Sequence, residues 1–110
     1  MEVQDERRVQ VRHPVSFLGN FGVSEGRLLN LSLGGCAIES DTPPELDTVV
    51  PLRVHMPSQD PPIEVELAEV TWTAGRNFGV RFLQLEASQE KRLHCLIIGL
   101  EHGVQKTGPV

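Results

Sequence analysis

Tyrosine is absent from this chain, tryptophan occurs once, cysteine and methionine twice each, and lysine supplies only two of the ten basic residues. Each shortage narrows the reading. A protein that grips single-stranded nucleic acid needs aromatic rings on which successive bases stack, and the four phenylalanines here fall mostly at apolar strand positions. A formal net charge of −5 also lacks the broad basic face that sequence-independent nucleic-acid binding requires. Cys36 and Cys95 each stand among apolar neighbours, Ala37 and Ile38 beside one and Leu96 and Ile97 beside the other. They read as small core residues and reduced thiols of a cytoplasmic chain, not as a disulfide or metal pair. His13, His55, His94 and His102 show no metal-ligand spacing. No apolar run approaches the ~20 residues of a membrane span, and none follows Met1 as a secretory leader would.

What remains is one domain's worth of chain, 110 residues with strand-like patterning. Short β-type runs over 15–18, 27–33, 36–39, 49–56, 63–73 and 77–83 are separated by turn residues, among them Gly19, Asn20, Gly22 and Gly26, Asp41 to Pro44, and Pro57 to Pro62. About six such strands argue for a mainly β, antiparallel barrel or sandwich. Val50, Leu52, Val54 and Met56 share one face of their strand, as do Phe78, Val80 and Phe82. Ile63, Val65 and Leu67 have odd parity whereas Val70 and Trp72 are even, which predicts a β-bulge near Ala68 and Glu69. Trp72 then reads as a core residue, the alternative being a place in a ligand groove or partner surface.

The period changes at the end. Leu93, Leu96, Ile97 and Leu100 follow the helical rule, Ser88 can cap the start and Gly103 can stop it, so one amphipathic helix is expected over 88–102. The resulting division is a flexible N-terminal arm over 1–12, a barrel with its helix over 13–103, and a frayed tail over 104–110.

Two motifs carry chemistry. Arg8 and Arg12 are separated by three residues, preceded by Arg7, and followed after one hairpin by Asn30-Leu31-Ser32-Leu33-Gly34-Gly35. Guanidinium is a planar fork that fits the O6/N7 edge of guanine or two phosphate oxygens. Alternation places Leu29, Leu31 and Leu33 toward the core and turns Asn30 and Ser32 outward together, where an amide and a hydroxyl can read one base edge. Gly34 and Gly35 then allow close approach of a ligand to the backbone. Each motif alone also has a plain reading, a solvated arm and a polar strand end. Their combination is more specific, because antiparallel pairing of a hairpin brings Arg12 and Asn30 near each other.

Arg8-Val9-Gln10-Val11-Arg12 together with Asn30-Leu31-Ser32-Leu33-Gly34-Gly35 resembles the paired signature of PilZ domains. Val70-Thr71-Trp72, then Phe78-Gly79-Val80-Arg81-Phe82 and a terminal helix, is similar to that family's later strands. The resemblance implies a six-stranded antiparallel barrel with a C-terminal helix that receives the bacterial second messenger cyclic di-GMP as a ligand, with no cofactor. By position it implies that Arg8 and Arg12 clamp guanine and phosphates, that Asn30 and Ser32 bond the remaining polar edge, and that Gly34 and Gly35 admit the ligand. Arg7, if it stacks on a second guanine, favours an intercalated ligand dimer; otherwise it is solvated.

No G-x-S-x-G nucleophile or Walker-type phosphate loop occurs, so catalysis is not expected. The expectation is a receptor whose arm orders on the ligand and signals to a downstream protein, for instance in motility, pilus or exopolysaccharide machinery. The alternatives are a protein-interaction module of the same fold that does not bind nucleotide, and a nucleic-acid binder using the basic arm. No DNA, RNA or membrane partner is expected.

Overall fold

A computed structural model describes residues 9–10, 13–19, 22–56 and 59–107. Among the described residues seven strands and one helix follow in order: β1 (Val9–Gln10), β2 (Pro14–Gly19), β3 (Gly22–Leu31), β4 (Gly35–Glu39), β5 (Val49–Met56), β6 (Gln59–Ala74), β7 (Asn77–Gln84) and α1 (Ala87–Thr107). Every pairing is antiparallel, and β2 to β7 close a six-stranded ring in the order β3-β2-β5-β6-β7-β4 with β4 returning to β3. Closure depends on the ten residues of β3, whose first part pairs with β2 and whose last part pairs with β4. A closed ring removes the exposed edges that a sheet of this length would otherwise present.

The apolar alternation fills the barrel. Val50, Leu52 and Val54 of β5 and Phe78 and Val80 of β7 point inward as their patterning predicts. Phe17 and Phe78 meet edge to face with ring centroids 5.3 Å apart, the geometry that their ring quadrupoles favour. Leu93 and Ile97 carry the helix into the same core, with Leu96 and Leu100 packed beside them.

The bulge expected near Ala68 is present slightly earlier. Between the pairs Val50 with Ala68 and Leu52 with Val65, β6 spends one residue more than β5, so Ile63 and Val65 are buried, Leu67 is partly exposed, and Ala68 and Val70 are buried again. A further shift follows between Val70 and Trp72. It inserts Thr71 and turns Trp72 outward, leaving it 44% exposed where a core position was expected.

Two further expectations change. Cys36 is buried, but Cys95 is exposed on α1, and neither forms a disulfide. The helix starts one residue before Ser88, with the amide of Glu90 donating to the carbonyl of Glu86, and it continues through Gly103 to Thr107. No described helix is long and apolar enough to cross a membrane.

The helix also bonds to the start of β6. Pro61 and Pro62 cannot donate to a neighbouring strand, and Arg92 instead donates to both of their carbonyls while Gln89 accepts the amide of Glu64. Truncating the aromatic pair tests the packing. Phe78→Ala is expected to lower the free energy of unfolding by about 3 to 5 kcal/mol, read from urea denaturation; a loss below about 1 kcal/mol would show that Phe78 is not part of the central core.

Candidate functional site

The end of β3 is where the two sequence motifs meet. Gln10 of β1 pairs with Asn30, and Val9 with Leu31. Four residues later the first hairpin begins with Pro14 opposite Arg27, and the amide of Leu28 donates to the carbonyl of His13 at 2.9 Å. The chain on both sides of position 12 therefore runs alongside β3. Arg7, Arg8 and Arg12 themselves lie outside the described residues.

Asn30 heads a row that crosses the outside of the barrel. It pairs with Ala37 of β4, Ala37 pairs with Gly79 of β7, and Gly79 pairs with Trp72 of β6. Cys36, Ile38, Phe78 and Val80 are buried on the inner side, so Ala37 and Gly79 belong to the outer face. This row, the trough, has β1 and Asn30 at one end, the small buried residues Ala37 and Gly79 in the middle, and the indole of Trp72, which lies against Gly79, at the other. A Cβ at Gly79 would overlap the Trp72 ring. That close approach explains why a glycine stands in the middle of β7.

Flanking rows are already neutralised. On one side Arg27 and Glu39 approach to 3.3 Å, and on the other Arg81 and Glu69 approach to 2.7 Å. The described guanidinium groups beside the trough thus each face a carboxylate. An anion lying there must find its counter-charge elsewhere, and the nearest reserve in the sequence is the arginine cluster before β2.

The second motif divides its labour differently from the alternation rule. A register shift between Leu28 and Asn30 makes Leu29 an extra residue in β3, so Leu28 and Leu31 are the buried leucines, while Leu33 is exposed. Asn30 is half-buried and engaged in an interaction of its own. Ser32 is fully buried, not outward as expected. Its hydroxyl and its amide both donate to the carbonyl of Gly35, at 3.2 and 2.9 Å, which ties the β3–β4 turn shut. Gly34 accepts the amide of Phe82 at 2.8 Å. At Gly35 a Cβ would collide with the backbone carbonyl of Val80, so the glycine is required by strand packing, whatever a ligand also requires.

His13, whose carbonyl accepts the amide of Leu28, is half-buried, and burial holds its imidazole below the ordinary value of 6.5. Among the described residues no group of three or more His, Cys, Asp or Glu could hold a metal ion. Sequence reasoning placed Asn30 correctly at the strand end but missed the trough, because the small residue at 79 has meaning only once Trp72 is known to face it.

Comparison with known proteins gives one family and one fold. The PilZ domain family profile matches residues 2–99. No curated protein sequence matches. The crystal structure of YcgR in complex with c-di-GMP from Escherichia coli superposes with a TM-score of 0.79 at 18% identity, over 97% of this chain and 50% of that one. This chain therefore spans about half the length of that relative. The PilZ domain of YcgR with c-di-GMP, also from Escherichia coli, gives 0.74 at 19% identity over 96% and 97% of the two chains. The MrkH–c-di-GMP complex of K. pneumonia gives 0.70 at 16% over 98% and 57%. At such identities the likeness is one of fold.

Two outcomes follow from the geometry. Gly35→Ala is expected to cost on the order of 1 to 3 kcal/mol of stability, since the neighbour that must yield is backbone; unchanged thermal unfolding would contradict the packing described. For His13, the depressed value means that between it and 6.5 the unfolded chain binds more protons than the folded one, so stability rises with pH through that window and is lost toward acid. His13→Gln should flatten the pH dependence of unfolding below 6.5; an unaltered profile would remove the assignment.

Proposed function

We propose, from the premise that this chain belongs to the PilZ domain family, that it is a non-enzymatic receptor for cyclic di-GMP whose N-terminal arm closes over the ligand. The observation that carries this reading is the pairing of Gln10 with Asn30, which anchors the segment between Arg8 and Arg12 at the head of the outer trough. The solved PilZ relatives whose names include c-di-GMP support it by likeness of fold.

The chemistry is a division between floor and clamp. The trough offers polar groups at Asn30 and an aromatic ring at Trp72, which is seated on Gly79. It does not offer free positive charge, because Arg27 and Arg81 are held by carboxylates. Cyclic di-GMP carries two phosphates and two guanine edges. Arg8 and Arg12 meet those with paired donors, and Arg7 stacks on a second guanine to hold an intercalated ligand dimer. Ser32 and Gly35 act by fixing the turn on which Asn30 is presented.

Ordering of the arm is then the switch. A ligand shifts an equilibrium only through contacts that differ between the two states, and the arginines make theirs only when the arm lies against β3. The reshaped surface changes affinity for a downstream protein, of the kind found in motility, pilus or exopolysaccharide control.

Calorimetric titration with cyclic di-GMP, with GTP and cyclic di-AMP as controls, tests the assignment. Arg8→Ala and Arg12→Ala are each expected to lose about 1 to 3 kcal/mol of binding free energy, or roughly ten- to hundredfold in affinity. Affinity equal to the parent in both variants would refute the clamp. The same titrations report Arg7: two ligands per chain falling to one in Arg7→Ala supports the stacked dimer, and one ligand per chain in both proteins removes it.

A further inference from the structure

A second surface lies at the far end of the β2–β3 hairpin. We propose that the open groove of about 430 Å³ between this hairpin and strands β5 and β6 is the docking site for a basic, apolar segment of a partner protein. This deepens the receptor reading by giving the downstream protein a place to bind, and it rests on that reading only for its biological meaning.

The groove has an apolar floor in water. Leu18 and Val23 pair directly across the hairpin and are 50% and 75% exposed. Antiparallel pairing of Phe17 with Leu52 sets Leu18 against Pro51, which is also exposed. Three apolar side chains on three adjacent strands thus face one concavity. Scattered apolar residues on a surface need no explanation, but a contiguous set in a groove marks an interaction site.

The rim selects the partner's charge. Glu64 and Glu66 line one wall, and Glu25, exposed on β3 opposite Ser16, adds a third carboxylate beside it. Arg53 is the guanidinium of the lining and stands 3.5 Å from Glu64, while Glu66 accepts a hydrogen bond from the neutral amide of Gln84. Three carboxylates against one guanidinium leave the rim negative. A segment with lysine or arginine beside leucine-like anchors complements both features, whereas an acidic segment or an anionic membrane does not. The barrel is closed, so strand addition is not available on this side and side-chain anchors must carry recognition.

The position also fits a receiver of signals. The hairpin that carries Leu18 and Val23 starts at Pro14 and Arg27, beside the trough, and ends at the groove four residues away, roughly 13 Å along the strand. The two surfaces lie toward opposite ends of one two-stranded element.

The test uses the full chain without cyclic di-GMP, so that it stands apart from nucleotide binding. The probe is a fluorescent amphipathic peptide of leucine and lysine, ~14 residues long, with a leucine–glutamate peptide as control. Anisotropy is expected to show binding of the lysine peptide alone, weakened about tenfold or more in Leu18→Ser/Val23→Ser and several-fold in Glu64→Gln/Glu66→Gln, with circular dichroism unchanged. Backbone amide shifts are expected to cluster at Ser16, Leu18, Val23 and Arg53. No binding, equal binding of both peptides, or affinity unaffected by either pair of substitutions overturns the proposal. So does a dimer in sedimentation that Leu18→Ser/Val23→Ser dissociates, because the occupant would then be a second copy of this chain.

Discussion

The ladder pairing Val9 with Leu31 and Gln10 with Asn30 is only two residues long, yet it joins the two chemically distinctive parts of the chain. Without it the arginines before the barrel would be a basic tail on an acidic domain. With it, the segment between Arg8 and Arg12 is tied to the strand that presents Asn30, and from Asn30 the outer row leads across Ala37 and Gly79 to Trp72. So short a ladder is weak by itself, since isolated strand pairs of this size gain little. Weakness suits a switch: an element near balance is one that a ligand of ordinary affinity can shift.

On the proposed receptor reading, the electrostatics make the arm necessary. Cross-strand ion pairs on either side of the trough, Arg27 with Glu39 and Arg81 with Glu69, bring little stability at the surface. What they do is leave the barrel's own cations committed to carboxylates. In the proposed function, a dianionic ligand on this face depends on guanidinium groups delivered from outside the barrel, which would link charge recognition to arm closure in one event.

Much of the barrel could be read from alternation and turn residues, because burial of one face leaves a period of two that shows in Val50, Leu52 and Val54 of β5 and in Phe78, Val80 and Phe82 of β7. The errors sit where extra residues enter a strand. Leu29 is such a residue, and it moves Leu31 and Ser32 inward and Leu33 outward; Thr71 is another, and it moves Trp72 from the core to the trough. An inserted residue inverts every later side chain while leaving composition untouched. The motif residues show a related limit. Asn30, Ser32 and Gly35 looked like one ligand-facing set, but the buried hydroxyl of Ser32 and the glycine pressed on Val80 serve the turn first. Spacing identified the turn, whereas only the packing separates the residue that faces the trough from those that hold it in place.

Amide hydrogen exchange across residues 8–13 and 28–31, with and without cyclic di-GMP, tests most directly whether ligand recognition and arm closure are one process. The account predicts that saturating ligand slows exchange at Val9, Gln10, Asn30 and Leu31 together and leaves the core amides of β5 and β7 unchanged. Binding with no change in exchange at Val9 and Gln10, or no binding at all, would contradict it.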